Sequence, residues 1–288
     1  RFDGFRYISR RVTGAPTTNP PLLVLGGSSQ DRLSWVRHEP HLLDHSDVIT
    51  ADLPGYGTAD RLPARYGIDF LAAAVRHLLD ELDLPRVDLV GACFGGAIAV
   101  RVAQHYPGHL GRLLLVGMTD RVPDDYAACA HRWRRMMADG ERDAVADELV
   151  TRFLAAPSAG TVRRQTAVAR FLHRQFVAQN DDEVAKWSEH NLRLTSHEWF
   201  RPEPLPSLPT LVVTGEHDNL TPPDHGRSVA ARFPAARFTT IREADHLAPV
   251  ERVAEFADLV NRFRTDTPLD ELPYATPLED ATTPTPRP

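Results

Sequence analysis

The run Val87-Asp88-Leu89-Val90-Gly91-Ala92-Cys93-Phe94-Gly95-Gly96-Ala97 constrains the fold of this chain more than any other segment. An apolar, strand-like stretch runs straight into G-x-C-x-G, and a helical pattern follows at once. Small residues on both sides allow strand and helix to pack closely about a sharp turn, whose central residue is held in strained backbone. The side chain at that centre projects over the N-terminus of the helix, where the dipole favours a thiolate. A lone cysteine elsewhere reads as a small core hydrophobe. The strand before Cys93 and the helix after it read instead as a strand-to-helix elbow that presents a nucleophile.

The surrounding pattern agrees with this reading. Residues 22–25 form a buried strand ending in Gly26-Gly27-Ser28-Ser29. Residues 47–53 form the next strand, ending in Asp52-Leu53-Pro54-Gly55-Tyr56-Gly57. Helical periodicity over 70–84 places Leu71, Val75, Leu78, Leu79 and Leu82 on one face. A strand at 87–90, a helix at 94–106 and a strand at 113–116 continue the alternation. Such βαβ units predict an α/β fold with a mostly parallel central sheet flanked by helices.

Strand signals vanish over 121–204. Helical segments at 126–138, 143–154, 161–177 and 182–192 predict a helical cap inserted after the strand that follows the elbow helix. The first pattern then resumes, with strands at 210–214 and 237–241 and helices at 226–233 and 250–264. The expected organisation is a core of residues 1–120 and 205–265, a cap of 121–204, and a Thr/Pro-rich, non-core C-terminal tail of 266–288. A helix is expected to begin near Asp31.

Two further segments end strands with chemistry. Thr-Gly-Glu-His-Asp218-Asn-Leu-Thr-Pro-Pro carries an acid after a strand-end glycine. Asp245-His246-Leu-Ala-Pro carries a histidine between a strand and a helix, a junction that no other of the 13 histidines occupies. The chain order is therefore nucleophile, acid, base: Cys93, Asp218, His246. Each follows a strand, so all three can meet at one edge of a parallel sheet. Glu216, Asp224 and Asp120 are rival acids.

With P-P-L-L-V-L-G-G, D-L-P-G-Y-G, V-G-A-C-F-G-G-A, T-G-E-H-D-N-L-T-P-P and D-H-L-A-P in this order and spacing, the chain resembles the α/β-hydrolase superfamily from about residue 5 to 265. The resemblance implies a catalytic triad of Cys93, His246 and Asp218. It also implies an oxyanion hole from the backbone N–H groups of Ser28 and Phe94. Cysteine stands where the family usually has serine, as in dienelactone hydrolases and polyester synthases. Gly26-Gly27 replaces the common His-Gly. Asp245 stands where glycine is frequent, and its carboxylate either faces the imidazole or points to water. Ser28, Ser29 and Gln30 are possible side-chain donors to substrate, or a polar turn. In the cap, Trp133, Met137, Phe171 and Trp187 are candidate substrate-binding residues, and Cys129 is read as cap core.

An elbow thiolate attacking an ester, thioester or lactone gives an acyl-thioester, which passes to water or to another acceptor. Acyl hydrolysis or transfer is the first reading of function. The second is a lyase, cyclase or isomerase that uses His246 and Asp218 for proton transfer with no covalent intermediate. The third is a non-catalytic binder. Arginine almost replaces lysine (only Lys186 remains), a bias of GC-rich bacterial genomes. With the cysteine elbow, this suggests secondary metabolism such as polyketide tailoring. The expected partner is a small acyl or polyketide-like substrate, with an acidic carrier-protein domain or a phosphopantetheine arm docking on Arg132, Arg134, Arg135, Arg163 and Arg164 as a weaker reading. A net charge of −6 argues against nucleic acid. No stretch approaches the ~20 apolar residues of a membrane span. Cys93 and Cys129 form neither a disulfide framework nor a metal spacing, so no metal or cofactor is expected and a cytoplasmic setting is.

Overall fold

A computed structural model describes residues 1–156 and 162–281. Its sheet contains β1 (Ile8–Val12), β2 (Leu22–Leu25), β3 (Val48–Asp52), β4 (Val87–Ala92), β5 (Leu110–Val116), β6 (Thr210–Gly215), β7 (Ala236–Ile241) and β8 (Glu279–Asp280). The spatial order is β1-β3-β2-β4-β5-β6-β7-β8. β1 lies antiparallel to β3 and β8 antiparallel to β7, and all the pairings between them are parallel. This is the mostly parallel, doubly covered sheet that the βα alternation predicts.

The central strands are largely apolar because both of their faces are covered. Alternate residues serve opposite layers. Leu23, Leu25, Leu89, Leu113 and Leu115 pack against α2 (Ile68–Glu81) and α3 (Phe94–His105). Leu22, Val24, Val90, Leu114 and Val116 face the other way, toward Phe256, Leu259, Val260 and Phe263 of α10 (Val253–Arg264). The remaining core helices are α1 (Glu39–Leu42), α8 (Pro223–Ala230) and α9 (Ala248–Glu251). The expected helix near Asp31 is absent. Asp31 Oδ1 accepts from Leu33 N, its own N–H donates to Ser34 Oγ, and turns run on to α1. These local side-chain bonds compete with helix formation.

Between β5 and β6 lie α4 (Tyr126–Ala138), α5 (Arg142–Phe153), α6 (Gln165–Val177) and α7 (Asp181–Ser196). Thr161, at the expected start of the third cap helix, lies outside the described residues. The cap helices enclose their own core of Trp133, Val145, Leu149, Leu172, Phe176 and Trp187. α7 opens with a capping box of Asn180 and Glu183. Its inner face is basic. Lys186 Nζ donates to Gly57 O (2.7 Å) and His190 Nε2 to Gly55 O (2.9 Å), while Arg193 reaches the carbonyls of Tyr66 (2.6 Å) and Leu62 (2.7 Å). Burial, and then the Arg193 charge, hold His190 well below the usual histidine range. It is therefore neutral, and its Nδ1 accepts from Arg193.

Much of the stretch read as a non-core tail belongs to the core. Leu269 and Ala275 are buried, and β8 adds an antiparallel edge strand to β7. Thr276 N donates to Thr240 O, and Arg227 forks onto both oxygens of Glu279 at 2.8 and 2.9 Å. The Thr/Pro composition that reads as unstructured suits an irregular strap ending in a two-residue strand. Residues 282–288 lie outside the described residues. Among the described residues, no helix is long and apolar enough to cross a membrane, and no cluster of side chains could hold a metal ion.

Candidate active site

Cys93 occupies the turn between β4 and α3 with φ 51° and ψ −116°. That is a costly conformation for a residue with a Cβ. The surroundings enforce it. Cys93 N donates to Val116 O at 2.8 Å, and Gly96 N donates back to Cys93 O at 2.9 Å. The neighbouring glycines permit the close approach. A Cβ on Gly95 would lie 2.2 Å from Leu25 O, and one on Gly91 would lie 2.7 Å from Ala99 Cβ.

Asp218 follows β6 and His246 follows β7, so parallel pairing brings both to the edge where β4 delivers Cys93. His246 Nδ1 lies 2.9 Å from Asp218 Oδ2. Asp218 is itself fixed: Oδ1 accepts from the N–H groups of Leu220 (2.9 Å) and Thr221 (2.7 Å), and Oδ2 from the Thr221 hydroxyl (2.8 Å). Burial of the imidazole works against its charge. It is overcome by the charge and hydrogen bond of Asp218 and then by those of Cys93, and the His246 pKa stands well above the usual histidine range. Phe153 of the cap stacks on the ring with centroids 5.4 Å apart and planes at 21°. Thr221 went unrecognised in the sequence. Its only signal is a Thr-Pro-Pro that reads as the start of a helix.

The rival acids are engaged elsewhere. Glu216 accepts from Glu243 N, Asp224 pairs with Arg227, and Asp120 accepts from Ser228. Asp245 turns inward, but toward Glu251. Its N–H donates to Glu251 Oε2 at 2.8 Å, and its carboxylate accepts from the N–H groups of Leu247 (3.3 Å) and Ala155 (3.4 Å). Burial raises both pKa values, and the proximity of Asp245 adds to the shift at Glu251. Two buried carboxyls in contact cannot both ionise cheaply, so the pair retains a proton.

The Phe94 and Ser28 amides donate to no carbonyl or side chain among the described residues. Gly27 sits beside the nucleophile, and a Cβ on it would lie 3.6 Å from Cys93 Cβ. Gln30 lines the cleft, its side chain fixed by Oε1 accepting from Gly27 N at 2.7 Å. A small apolar chamber of about 70 Å³ adjoins Cys93, walled by Ala97, Met118, Val122, Tyr126, Leu194 and Trp199. On the Ser28 side, a larger polar cleft of about 810 Å³ opens between cap and core.

The four cap candidates line neither cavity. Trp133, Met137 and Trp187 are buried within the cap, and Phe171 is exposed. Amphipathic helices spend their largest apolar residues on one another, so bulk alone did not identify the wall. Cys129 is buried in the cap core, as expected.

Residues 20–253 match the model of the alpha/beta hydrolase fold family. The chain belongs to that family and is an α/β-hydrolase-type enzyme. It is 26% identical over 264 residues to a 2-hydroxymuconate semialdehyde hydrolase of Pseudomonas sp. strain CF600, covering 84% of this chain and 86% of that protein. It is 27% identical over 240 residues to a dihydrolipoyllysine-residue acetyltransferase component of the acetoin cleaving system of Pseudomonas putida. That match covers 80% of this chain but only 60% of the longer relative. Among solved structures, the enol-lactonase from Burkholderia xenovorans LB400 superposes with a TM-score of 0.78 at 23% identity, over 92% of this chain and 98% of that one. At that identity the likeness shows the fold.

Proposed function

We propose that the protein performs acyl chemistry through a Cys93–His246–Asp218 triad, forming a thioester on Cys93 and passing the acyl group to water or another small acceptor. The observation that carries this reading is a strained elbow cysteine beside a histidine that Asp218 holds protonated. The Cys93 sulfur attacks the carbonyl carbon of an ester, thioester or lactone. The oxyanion is received by the Ser28 and Phe94 amides. As the tetrahedral intermediate collapses, the bond to the leaving oxygen or sulfur breaks and His246 supplies its proton. The now neutral His246 takes a proton from water, the hydroxide attacks the thioester, and the acid departs while the Cys93 sulfur regains its starting state. Asp218 keeps Nδ1 toward itself throughout, leaving Nε2 for proton transfer. Hydrolase and esterase relatives support hydrolysis as the default outcome. A role in secondary metabolism and a polyketide-like substrate belong to the same proposal.

The test is intact-protein mass after acid quenching of a reaction with activated esters and thioesters. A gain equal to the acyl group, absent from Cys93→Ala, is the expected result. Turnover by Cys93→Ala within about tenfold of the parent, together with its loss in His246→Ala, would replace this reading with proton-transfer chemistry run by the His246–Asp218 pair.

A further inference from the structure

Cys93 lines the small chamber, the larger cleft reaches Ser28 next to the Gly27 that abuts Cys93, and the difference in chemistry between the two cavities defines a substrate. The chamber is small and apolar, and Ala97, Met118 and Trp199 in its wall are almost fully buried. The cleft is more than ten times larger, lined by polar groups, and leads outward past the half-exposed Arg6 and Arg61. The cations of the cleft are already matched: Lys186 and Arg61 with Asp182, and Arg6 with Asp60. The lining carboxylates of Asp31 and Glu183 accept hydrogen bonds from Leu33, Ser34 and Asn180. Gln179, at the end of α6, is 7% exposed and lines the cleft, yet its Oε1 has no hydrogen-bond partner among the described residues. Its backbone is pinned, with N–H donating to Phe176 O and the carbonyl accepting from Arg142. The Ser28 and Ser29 hydroxyls on the core wall likewise bond to nothing among the described residues. A buried amide acceptor left unpaired is costly, and a ligand N–H that meets it recovers that cost.

We infer that the substrate is a thioester joining a short apolar acyl group to an uncharged arm that bears amide groups, of the kind pantetheine exemplifies. This rests on the triad reading above and adds the substrate class. The acyl group occupies the chamber and the arm lies along the cleft, its amide N–H donating to Gln179. The direction follows from the reaction order. In the first step the carbonyl–sulfur bond of the substrate breaks, a carbonyl–sulfur bond to Cys93 forms, and the arm leaves as a thiol with a proton from His246. The part that stays on Cys93 is the one held by the chamber that the cysteine itself lines, and the departing arm lies toward the larger cleft. An anionic arm is disfavoured, since every cation lining the cleft is already paired.

The experiment compares propionyl thioesters of pantetheine, N-acetylcysteamine and butanethiol as substrates, with octanoyl-pantetheine as a fourth. The expected order of kcat/KM is pantetheine above N-acetylcysteamine above butanethiol, with about tenfold or more between the extremes, and octanoyl-pantetheine below propionyl-pantetheine. Gln179→Met should lower the ratio of pantetheine to butanethiol esters by about tenfold. Ser29→Ala reads the same ratio from the opposite wall if Gln179→Met folds poorly. Equal kcat/KM for all three propionyl esters, with Cys93 still acylated, would overturn the amide-arm assignment and leave the triad intact. Octanoyl exceeding propionyl would overturn the short-acyl assignment. If no ester or thioester acylates Cys93, the triad reading itself fails, and this inference with it.

Discussion

His246 shows how single residues set the chemistry. A ring held protonated by Asp218 is poised to give a proton rather than take one. Such a histidine hands its proton to a leaving group readily and takes one from a neutral alcohol badly. Cys93→Ser is therefore expected to lower kcat/KM by about a hundredfold or more while the fold persists, as measured with an activated ester beside a thermal melt. The carboxyl pair behind the ring gives a second residue-scale expectation. The Glu251 pKa is raised in the folded state by burial and by Asp245. The folded protein therefore holds a proton there that the unfolded chain gives up once pH exceeds the ordinary carboxylate range. The stabilisation is complete below that range and is lost as pH rises toward the folded value. Glu251→Gln keeps the shape without the titration. Its stability advantage over the parent should grow by roughly 1–3 kcal/mol between pH 5 and pH 8.5, read from urea midpoints. An advantage that does not change with pH would show that the pair holds no proton.

At the scale of elements, the elbow depends on what glycine leaves out. A Cβ at Gly95 would press on the Leu25 carbonyl, which is backbone and cannot step aside. One at Gly96 would meet Met118 Sδ at 2.0 Å, but a methionine side chain can swing away, here at the expense of the chamber it walls. Gly95→Ala is expected to cost about 2–3 kcal/mol in denaturant unfolding and most of the activity. Gly96→Ala should cost less stability and narrow the range of acyl groups accepted. Equal stabilities would refute this ranking. These elements are also where the sequence speaks most clearly. β2, β4 and β6 are dominated by apolar residues because both faces of the sheet are covered, and the cap helices carry a 3.6-residue stripe. Order along the chain was enough to align Cys93, Asp218 and His246. Other features depend on partners far away in sequence. Thr221 acts on Asp218 through a local turn that no pattern announces. The cavity walls come from Tyr126, Leu194 and Trp199, whose facing is decided by how α4 and α7 dock. Gln179 looks like any surface glutamine until its burial is known.

Across the whole molecule, the sheet is closed at one edge by residues after α10. β8 is an acidic dipeptide with no apolar alternation, so it is invisible as a strand. It is held by ladder pairing to β7 and by the Arg227 fork on Glu279. Ending the chain at residue 265 strips this cover and leaves β7 with an unpaired edge. That variant should lose several kcal/mol and aggregate on heating. Ending it at residue 281 removes none of these contacts and should leave the melting temperature within about 2 °C. Identical melts for the two truncations would show that the strap adds nothing.

The basic inner face of α7 has a consequence for how such proteins can be recombined. Lys186, His190 and Arg193 bind main-chain oxygens of the segment from Gly55 to Tyr66 rather than its side chains. They are indifferent to its residue types but demand its path. A chimaera that grafts a foreign cap onto this core, or this cap onto a foreign core, therefore inherits a compatibility condition written in backbone geometry. The unit of exchange is the cap together with residues 55–66, two stretches that β4, α3 and β5 keep apart in the gene. A crossover that moves one without the other takes from Arg193 and His190 the carbonyls that receive them in the interior and leaves Lys186 only Asp182 of its own helix.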